Sequence, residues 1–215
     1  MNLPKVTVID YGISNILSVC RALEYCGVYV KLSSDPVDIT TASRVVLPGV
    51  GAFYDSMNSL RKLGLDDAIL NSSAKGIPFL GICLGMQLMF DDSEEFGNSK
   101  GLGLIPGSVV RLPIKTTTDE IQKIPHVGWN TLVKSVGCHN WTGTVLHNIG
   151  PQDAVYFTHS FMAKPVDAKN SIADCIYGGG RVPAVVGHEN ILGCQFHPEK
   201  SGAVGLNILR NFCDC

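Results

Sequence analysis

In this 215-residue chain, Cys83 is the residue whose type and surroundings most clearly indicate chemical reactivity. It lies in the segment GICLGMQ at 81–87. The apolar run 77–82 predicts a buried strand, and the residues from Leu84 onward predict a helix. A Gly-x-Cys-x-Gly sequence between a strand and a helix indicates a nucleophile elbow with sulfur in place of oxygen. The flanking glycines lack Cβ atoms and leave room for a sharp turn. The pattern therefore predicts a nucleophilic thiol at Cys83, and a buried structural cysteine is the alternative.

A thiol nucleophile needs a group that takes its proton and later delivers it to the leaving group. His197 directly follows an apolar strand, in the segment FHPE at 196–199. Glu199 is two residues further on and can accept a hydrogen bond from the second ring nitrogen, which would fix the orientation of the ring. The alternatives are a loop histidine at the start of a helix and a carboxylate in its first turn. Together with Cys83, the pair predicts a Cys-His-Glu triad.

Acyl transfer also needs N–H groups that stabilise the oxyanion of the tetrahedral intermediate. The segment PGVG at 48–51 follows a predicted strand, and its glycines allow a peptide to turn its N–H inward. We expect the N–H groups of Val50 and Leu84 to form the oxyanion hole. An ordinary strand-to-helix turn is the alternative for this segment.

The elements that must position these residues alternate between strand and helix in the first half of the chain. This order predicts an α/β fold in which a mostly parallel sheet carries helices on both faces. From about Gly103 onward, short strands separated by Gly, Pro and Asn turns predict antiparallel additions. We expect one domain over residues 1–215. The predicted strands are 6–9, 28–32, 44–47, 77–82, 107–112, 129–133, 154–161, 171–177, 182–186 and 191–196, and the predicted helices are 16–25, 53–63, 66–73, 84–90 and 202–212.

Composition excludes several classes of function. The formal net charge is −2, and no run of Lys or Arg predicts a nucleic-acid partner. No apolar stretch is long enough to span a membrane, and the N-terminus lacks the pattern of an export signal. We therefore expect a cytoplasmic protein without membrane association, in which the eight cysteines are free thiols. Their spacing predicts no metal site.

Taken together, the segments at 48–51, 81–87 and 196–199 resemble those of the class I (triad) glutamine amidotransferases. The resemblance covers almost the whole chain and implies the three-layer fold of that family. It implies that L-glutamine is hydrolysed to L-glutamate and ammonia without a metal or an organic cofactor. It also implies that the glutamine is held by Gly51, Gln87, Glu95 and Ser160. Gln87 could instead be a solvent-facing helix residue, and Glu95 could belong to a solvated acidic stretch.

Three further segments narrow the resemblance: PHVGWN at 125–130, YFTHSF at 156–161 and HPEKSG at 197–202. These segments, together with DYG at 10–12 followed by Asn15, look like the glutaminase subunits of imidazole glycerol phosphate synthases. In that subfamily, a β/α-barrel cyclase subunit receives the ammonia and forms imidazole glycerol phosphate and AICAR from PRFAR, on the route to histidine. The resemblance implies a heterodimer in which Trp129, Tyr156 and Lys200 face the cyclase, although Trp129 could instead fill the core.

Three alternatives remain open at this point. The first is a paralogous glutaminase subunit that supplies ammonia to a surface-sugar amidotransferase. The second is another hydrolase with a cysteine elbow, such as a peptidase-like enzyme or a γ-glutamyl hydrolase. The third is a non-catalytic binding module that has kept the fold.

Overall fold

A large central sheet organises the chain in the computed structural model, which describes residues 4–12 and 16–214. Its strand order is β2-β1-β3-β4-β14-β13-β12-β9, and the first five strands are parallel to one another. The strands are β1 (Lys5–Ile9), β2 (Tyr29–Ser33), β3 (Val45–Leu47), β4 (Phe79–Ile82), β5 (Phe90–Ser93), β6 (Ser99–Lys100), β7 (Ile105–Arg111), β8 (His126–Thr131), β9 (Val133–Lys134), β10 (Ala154–His159), β11 (Phe161–Pro165), β12 (Ser171–Tyr177), β13 (Gly180–His188) and β14 (Ile191–Cys194).

Helices cover both faces of this sheet. They are α1 (Ile16–Tyr25), α2 (Pro36–Thr40), α3 (Phe53–Lys62), α4 (Leu65–Ala74), α5 (Leu84–Gln87) and α6 (Gly202–Asp214). α1 and α6 bury their apolar side chains on one face, whereas α2, α3 and α4 bury theirs on the other. Successive residues of one strand serve opposite cores, since Val46 packs with α1 and α6 while Val45 and Leu47 pack with the other three helices. The predicted parallel sheet with helices on both faces is therefore present.

The second half of the chain adds antiparallel pairs, as the sequence predicts. β12, β13 and β14 pair antiparallel at one side of the central sheet. β8 and β10 form a separate two-stranded ribbon, and β11, β7, β5 and β6 form a four-stranded sheet. Within the described residues, no helix is long and apolar enough to cross a membrane.

The segment predicted as one strand at 154–161 is divided between two sheets. β10 pairs with β8, the chain bends at Ser160, and β11 then pairs with β7. The prediction of a single strand is therefore wrong, because each half finds a different partner strand. The break leaves Ser160 at the border of the cavity that Cys83 also lines.

The helix after Cys83 is also shorter than the predicted 84–90. α5 ends at Gln87, because the carbonyl groups of Leu88 and Met89 accept hydrogen bonds from Leu102 and Leu104. Those bonds draw the chain into β5. The short helix α2 was missed, although Asp35 as its N-cap and Pro36 at its first position are ordinary start signals.

Candidate active site

The site forms where two neighbouring parallel strands end. β4 and β14 pair in register, with Ile82 opposite Cys194, and the Cys83 N–H donates to the Cys194 carbonyl at 2.7 Å. The residues that follow each strand therefore meet at the carboxyl edge of the sheet, which is where α/β folds place their sites. This pairing brings Cys83 close to Gln195 and His197.

Cys83 has the strained backbone that an elbow requires. Its φ and ψ angles are 54° and −112°, a region that L-residues rarely adopt and that costs about 1–3 kcal/mol. The glycines beside it are needed for close packing. A Cβ atom on Gly85 would lie 1.9 Å from the Leu47 carbonyl oxygen, and one on Gly81 would lie 2.7 Å from the backbone of Met86. The turn therefore holds the thiol at one fixed place above the sheet.

His197 and Glu199 form a buried pair. Nδ1 of His197 lies 2.8 Å from Oε1 of Glu199, and the two side chains are only 2% and 1% exposed. The His197 N–H donates to the Tyr156 carbonyl, and the hydroxyl of Ser201 donates to the His197 carbonyl. Backbone and side-chain contacts thus fix the ring in one orientation.

The surroundings of His197 favour its charged form. Burial lowers the pKa of His197, but its interactions with the Cys83 sulfur and the Glu199 carboxylate outweigh burial and raise the pKa to about 9. Nε2 of His197 is buried and makes no hydrogen bond of normal length and angle. The contact with Cys83 is therefore looser than the contact with Glu199, as is common for catalytic pairs without substrate.

The PGVG segment packs directly against the elbow. A Cβ atom on Gly49 would lie 2.4 Å from the Gly85 nitrogen, so only glycine permits this approach. The Tyr11 hydroxyl donates to the Pro48 carbonyl at 2.9 Å and holds the start of the segment, while Gly51 has a φ of +106°. The positions expected to form the oxyanion hole, Val50 and Leu84, both border the cavity beside Cys83.

A cavity of about 390 Å³ opens above the thiol. It brings together all the residues that the sequence predicts for the oxyanion hole and for glutamine binding, as well as Cys83 and His197 of the predicted triad. Glu199 lies behind the ring of His197 and does not line the cavity. The residues nominated from sequence that line it are Val50, Gly51, Cys83, Leu84, Gln87, Glu95, Ser160 and His197, and the additional ones are Pro125, Thr158, His159 and Phe161.

Gln87 and Glu95 are already hydrogen-bonded in the unliganded site. Gln87 is 6% exposed, which contradicts the solvent-facing alternative, and its Nε2 donates to the Phe161 carbonyl and to Oε1 of Gln195, both at 2.9 Å. Oε2 of Glu95 accepts from the Phe53 N–H at 2.7 Å, at the start of α3. Each side chain is therefore held in place before any ligand arrives.

Sequence reasoning missed a pair of buried histidines beside the cavity. Nδ1 of His159 contacts the Phe161 carbonyl at 2.8 Å, and its Nε2 lies 3.1 Å from Nδ1 of His126. A carbonyl oxygen only accepts, so His159 carries its proton on Nδ1 and His126 donates to Nε2. Burial lowers the pKa of both histidines to about 4, so both rings are neutral at pH 7.

The three residues expected to face a partner lie outside the cavity. Trp129 is 59% exposed, which contradicts the alternative that it fills the core. Its ring meets that of Tyr156 edge-on at 6.0 Å, and Lys200 is exposed just after the triad histidine. Asn15 lies outside the described residues. Among the described residues, no group of three His, Cys, Asp or Glu side chains could hold a metal ion.

The family model for glutamine amidotransferase class-I matches residues 7–215. The chain belongs to the class I glutamine amidotransferase family, as its elbow, its histidine–glutamate pair and its sheet indicate.

Individual relatives define the subfamily more narrowly than the family model does. The chain is 50% identical over 208 residues to imidazole glycerol phosphate synthase subunit HisH 1 of Legionella pneumophila (strain Lens), covering 97% of this chain and 98% of the relative. It is 46% identical to the HisH subunit of Geobacillus kaustophilus, over 96% and 95% of the two chains. The predicted class, the enzyme type and the subunit type within histidine biosynthesis are confirmed by these matches. Because these relatives are named as subunits, this chain is expected to have a partner subunit.

Solved structures establish the fold independently. A putative GMP synthase subunit from Thermoplasma acidophilum superposes with a TM-score of 0.69 at 22% identity, over 100% of this chain and 94% of that one. The structure of PurLQS from Thermotoga maritima gives a TM-score of 0.70 at 20% identity, over 99% and 98% of the two chains. The predicted three-layer fold is confirmed.

Proposed function

We propose that Cys83 attacks the side-chain amide of L-glutamine and that the ammonia released passes to a cyclase subunit of imidazole glycerol phosphate synthase. One observation carries the chemical part of this proposal. The thiol with the strained backbone borders the same cavity as His197, whose ring is oriented by Glu199 at 2.8 Å. This is the arrangement of nucleophile, base and orienting carboxylate that covalent acyl transfer requires.

The first half of the reaction forms a thioester. The Cys83 thiolate adds to the amide carbon, and the N–H groups of Val50 and Leu84 stabilise the oxyanion that develops there. His197, which is protonated because its pKa is about 9, gives its proton to the leaving nitrogen. The C–N bond breaks, ammonia departs, and a γ-glutamyl thioester remains on Cys83.

The second half regenerates the enzyme. His197 is now neutral and takes a proton from water, which attacks the thioester carbon. The C–S bond breaks, the sulfur leaves as thiolate, and glutamate is released. Glu199 stabilises the positive charge that returns to the ring. No metal or organic cofactor takes part in any step of this proposal.

Glutamine would enter between the bend at Ser160 and the loop that carries Gly51. Glu95 borders the same cavity and carries a negative charge that can pair with the α-ammonium group of an amino acid. Both N–H groups of Gln87 are already used, so Gln87 can contact glutamine only through its oxygen. The cavity volume of about 390 Å³ suits a ligand of this size.

The proposed partner surface lies next to the triad and consists of Val127, Trp129, Tyr156 and Lys200. Val127 and Trp129 are 52% and 59% exposed on β8, and the Tyr156 carbonyl holds the His197 backbone. Exposed Trp and Tyr side chains are enriched at the centres of protein–protein interfaces. A cyclase bound here would lie next to the site at which ammonia is released. A cytoplasmic location and a single domain over residues 1–215 are further parts of this proposal.

The deciding experiment measures glutamate release from glutamine by this chain, with and without the cyclase and its ribotide ligand. We expect the partner and the ligand together to raise the rate by orders of magnitude, and we expect Cys83→Ala to abolish it. A Cys83-dependent rate that ignores the cyclase would point to another acceptor, first among surface-sugar amidotransferases. Release that survives Cys83→Ala would refute the nucleophile.

A further inference from the structure

Gln195 lies beside the nucleophile and has no assigned role. Its side chain is fully buried, and it follows β14 just as Cys83 follows β4, so the strand register places the two residues side by side. The chain bends at residues 195 and 196 before it reaches His197. Nε2 of Gln195 lies 3.8 Å from the Cys83 sulfur.

The orientation of the Gln195 amide is fixed by a backbone carbonyl two contacts away. Nε2 of Gln87 must be the atom that faces the Phe161 carbonyl, because a carbonyl oxygen cannot donate. The second N–H of Gln87 then points at Gln195, so the atom of Gln195 that it meets at 2.9 Å is the acceptor Oε1. The NH₂ group of Gln195 consequently faces the sulfur.

We propose that Gln195 is a positioning residue that donates a hydrogen bond to the Cys83 sulfur and so stabilises the thiolate in the direction of attack. The inference deepens the proposed function and rests on Cys83 being the nucleophile. A neutral thiol can give its proton to the Thr158 carbonyl, which lies 3.9 Å away. A thiolate cannot donate, and the hydrogen bond that it accepts from the Gln195 N–H is stronger than the one that a neutral thiol accepts.

Other groups near the sulfur cannot replace this donor. His197 shares its positive charge with Glu199 and must release its proton during catalysis, whereas an amide keeps its N–H at every pH. Tyr11 is buried near the elbow, and its hydroxyl is already donated to Pro48. The remaining titratable groups of the cavity are Glu95 and His159, and neither forms a hydrogen bond with the sulfur in the structure.

The test follows the alkylation of Cys83 by iodoacetamide between pH 5 and pH 10, with the Cys83 peptide quantified by mass spectrometry. Gln195→Glu keeps an acceptor for Gln87 but places an oxygen against the sulfur, and Gln195→Met removes both polar atoms. We expect the pH of half-maximal alkylation to rise by about one unit in both variants. In complex with the cyclase, we expect kcat for glutamate release to fall at least tenfold while KM changes less than about threefold.

The matched control is Gln122→Leu, which alters another buried glutamine whose amide donates to the Pro113 carbonyl. Its Cys83 alkylation profile should equal that of the unmodified protein. An unchanged pH profile of Cys83 alkylation in folded Gln195→Met overturns the inference, even if that variant releases glutamate more slowly. Gln195 would then only support packing. If that variant does not fold, an unchanged profile in Gln195→Glu does the same. Alkylation requires no turnover, so it tests Gln195 separately from the glutaminase assay. If glutamate release does not depend on Cys83, the proposed function fails, whatever the alkylation profiles show.

Discussion

At the scale of single residues, the charge of Glu199 should decide the ionisation of His197. Glu199→Gln keeps the shape of the side chain but removes the charge 2.8 Å from the ring. Burial then acts with less opposition, so we expect the His197 pKa to fall from about 9 toward the ordinary histidine range. Partner-activated glutamate release should fall about 100-fold or more, because the ring loses its preferred charge and tautomer.

NMR titration of His197 in the two proteins measures this change directly. Glu120→Gln makes the same substitution at an exposed carboxylate and should leave the titration unaltered. A His197 pKa that stays near 9 in Glu199→Gln would mean that another group holds the charge on the ring.

The sequence predicted the residues that are proposed to carry the chemistry but not those that surround them. Cys83 and His197 stand out because glycines and a strand end surround them, which are local signals. His159 was missed because its role depends on a contact with His126, which is distant in sequence. Gln195 was equally hidden, because its contact with the Cys83 sulfur joins residues that are 112 positions apart in sequence.

At the scale of elements, the contact between the elbow and the loop after β3 should not tolerate a methyl group. A Cβ atom at Gly85 would lie 1.9 Å from the Leu47 carbonyl oxygen, so the backbone must move. We expect Gly85→Ala to lower the free energy of unfolding by about 2–4 kcal/mol and to abolish glutamate release, because the movement displaces the oxyanion loop.

Urea unfolding followed by circular dichroism measures the loss of stability. Gly150→Ala is the matched control, because its Cβ atom would meet Asp153 at an ordinary 3.6 Å and the φ angle of Gly150 is not positive. Full stability in Gly85→Ala would show that the loop and the elbow can separate without cost.

The strand pair β8–β10 should make stability depend on pH. His126 and His159 titrate near pH 4 in the folded protein and near 6.5 when unfolded. The unfolded chain therefore binds more protons below pH 6.5, and the stabilisation present above that pH is lost as pH falls toward 4. We expect the free energy of unfolding to drop by roughly 1–2 kcal/mol per histidine between pH 7 and pH 5.

Urea unfolding at both pH values checks the slope. His126→Phe keeps an aromatic ring between Phe157 and Tyr177 but cannot titrate, so its loss of stability on acidification should be smaller. His147→Gln removes an exposed histidine and should behave like the unmodified protein. Equal slopes in all three proteins would exclude the buried pair as the source.

Hydrophobic periodicity predicted the elements whose partners are near in sequence. It failed where pairing with a segment distant in sequence determines the secondary structure. The helix at 16–25 and the strand at 171–177 have the predicted bounds, because each has an apolar pattern with clear ends. β5 was not predicted, and the predicted helix 84–90 ran to its first residue, Phe90, because Leu88 to Phe90 are apolar in either structure. Its pairing with β7 supplies the hydrogen bonds that decide between them, and no local pattern records that pairing.

At the scale of the whole molecule, the carboxyl edge of the sheet gathers three functions in one place. The elbow ends β4, the triad histidine follows β14, and the Tyr156 carbonyl of β10 holds that histidine. Because β10 also carries part of the proposed partner surface, a protein bound there would lie against the strand whose backbone holds His197. Two links therefore join the proposed partner surface to His197. One is the 2.9 Å hydrogen bond from the His197 backbone N–H to the Tyr156 carbonyl, and the other is the Ser201 hydroxyl, which accepts from the Tyr156 N–H and donates to the His197 carbonyl.

Trp129 should accordingly dominate binding of the proposed cyclase partner. Its side chain is 59% exposed and packs edge-on against Tyr156, so truncation to Ala removes a large apolar contact without opening the core. We expect Trp129→Ala to weaken the complex about 30-fold or more, as measured by titration calorimetry, with the unfolding midpoint nearly unchanged. Tyr29→Ala removes an aromatic side chain of similar exposure, 58%, at the start of the edge strand β2. Parallel strands begin at the edge opposite the active site, so this control should bind normally, and equal affinities in all three proteins would move the partner surface elsewhere.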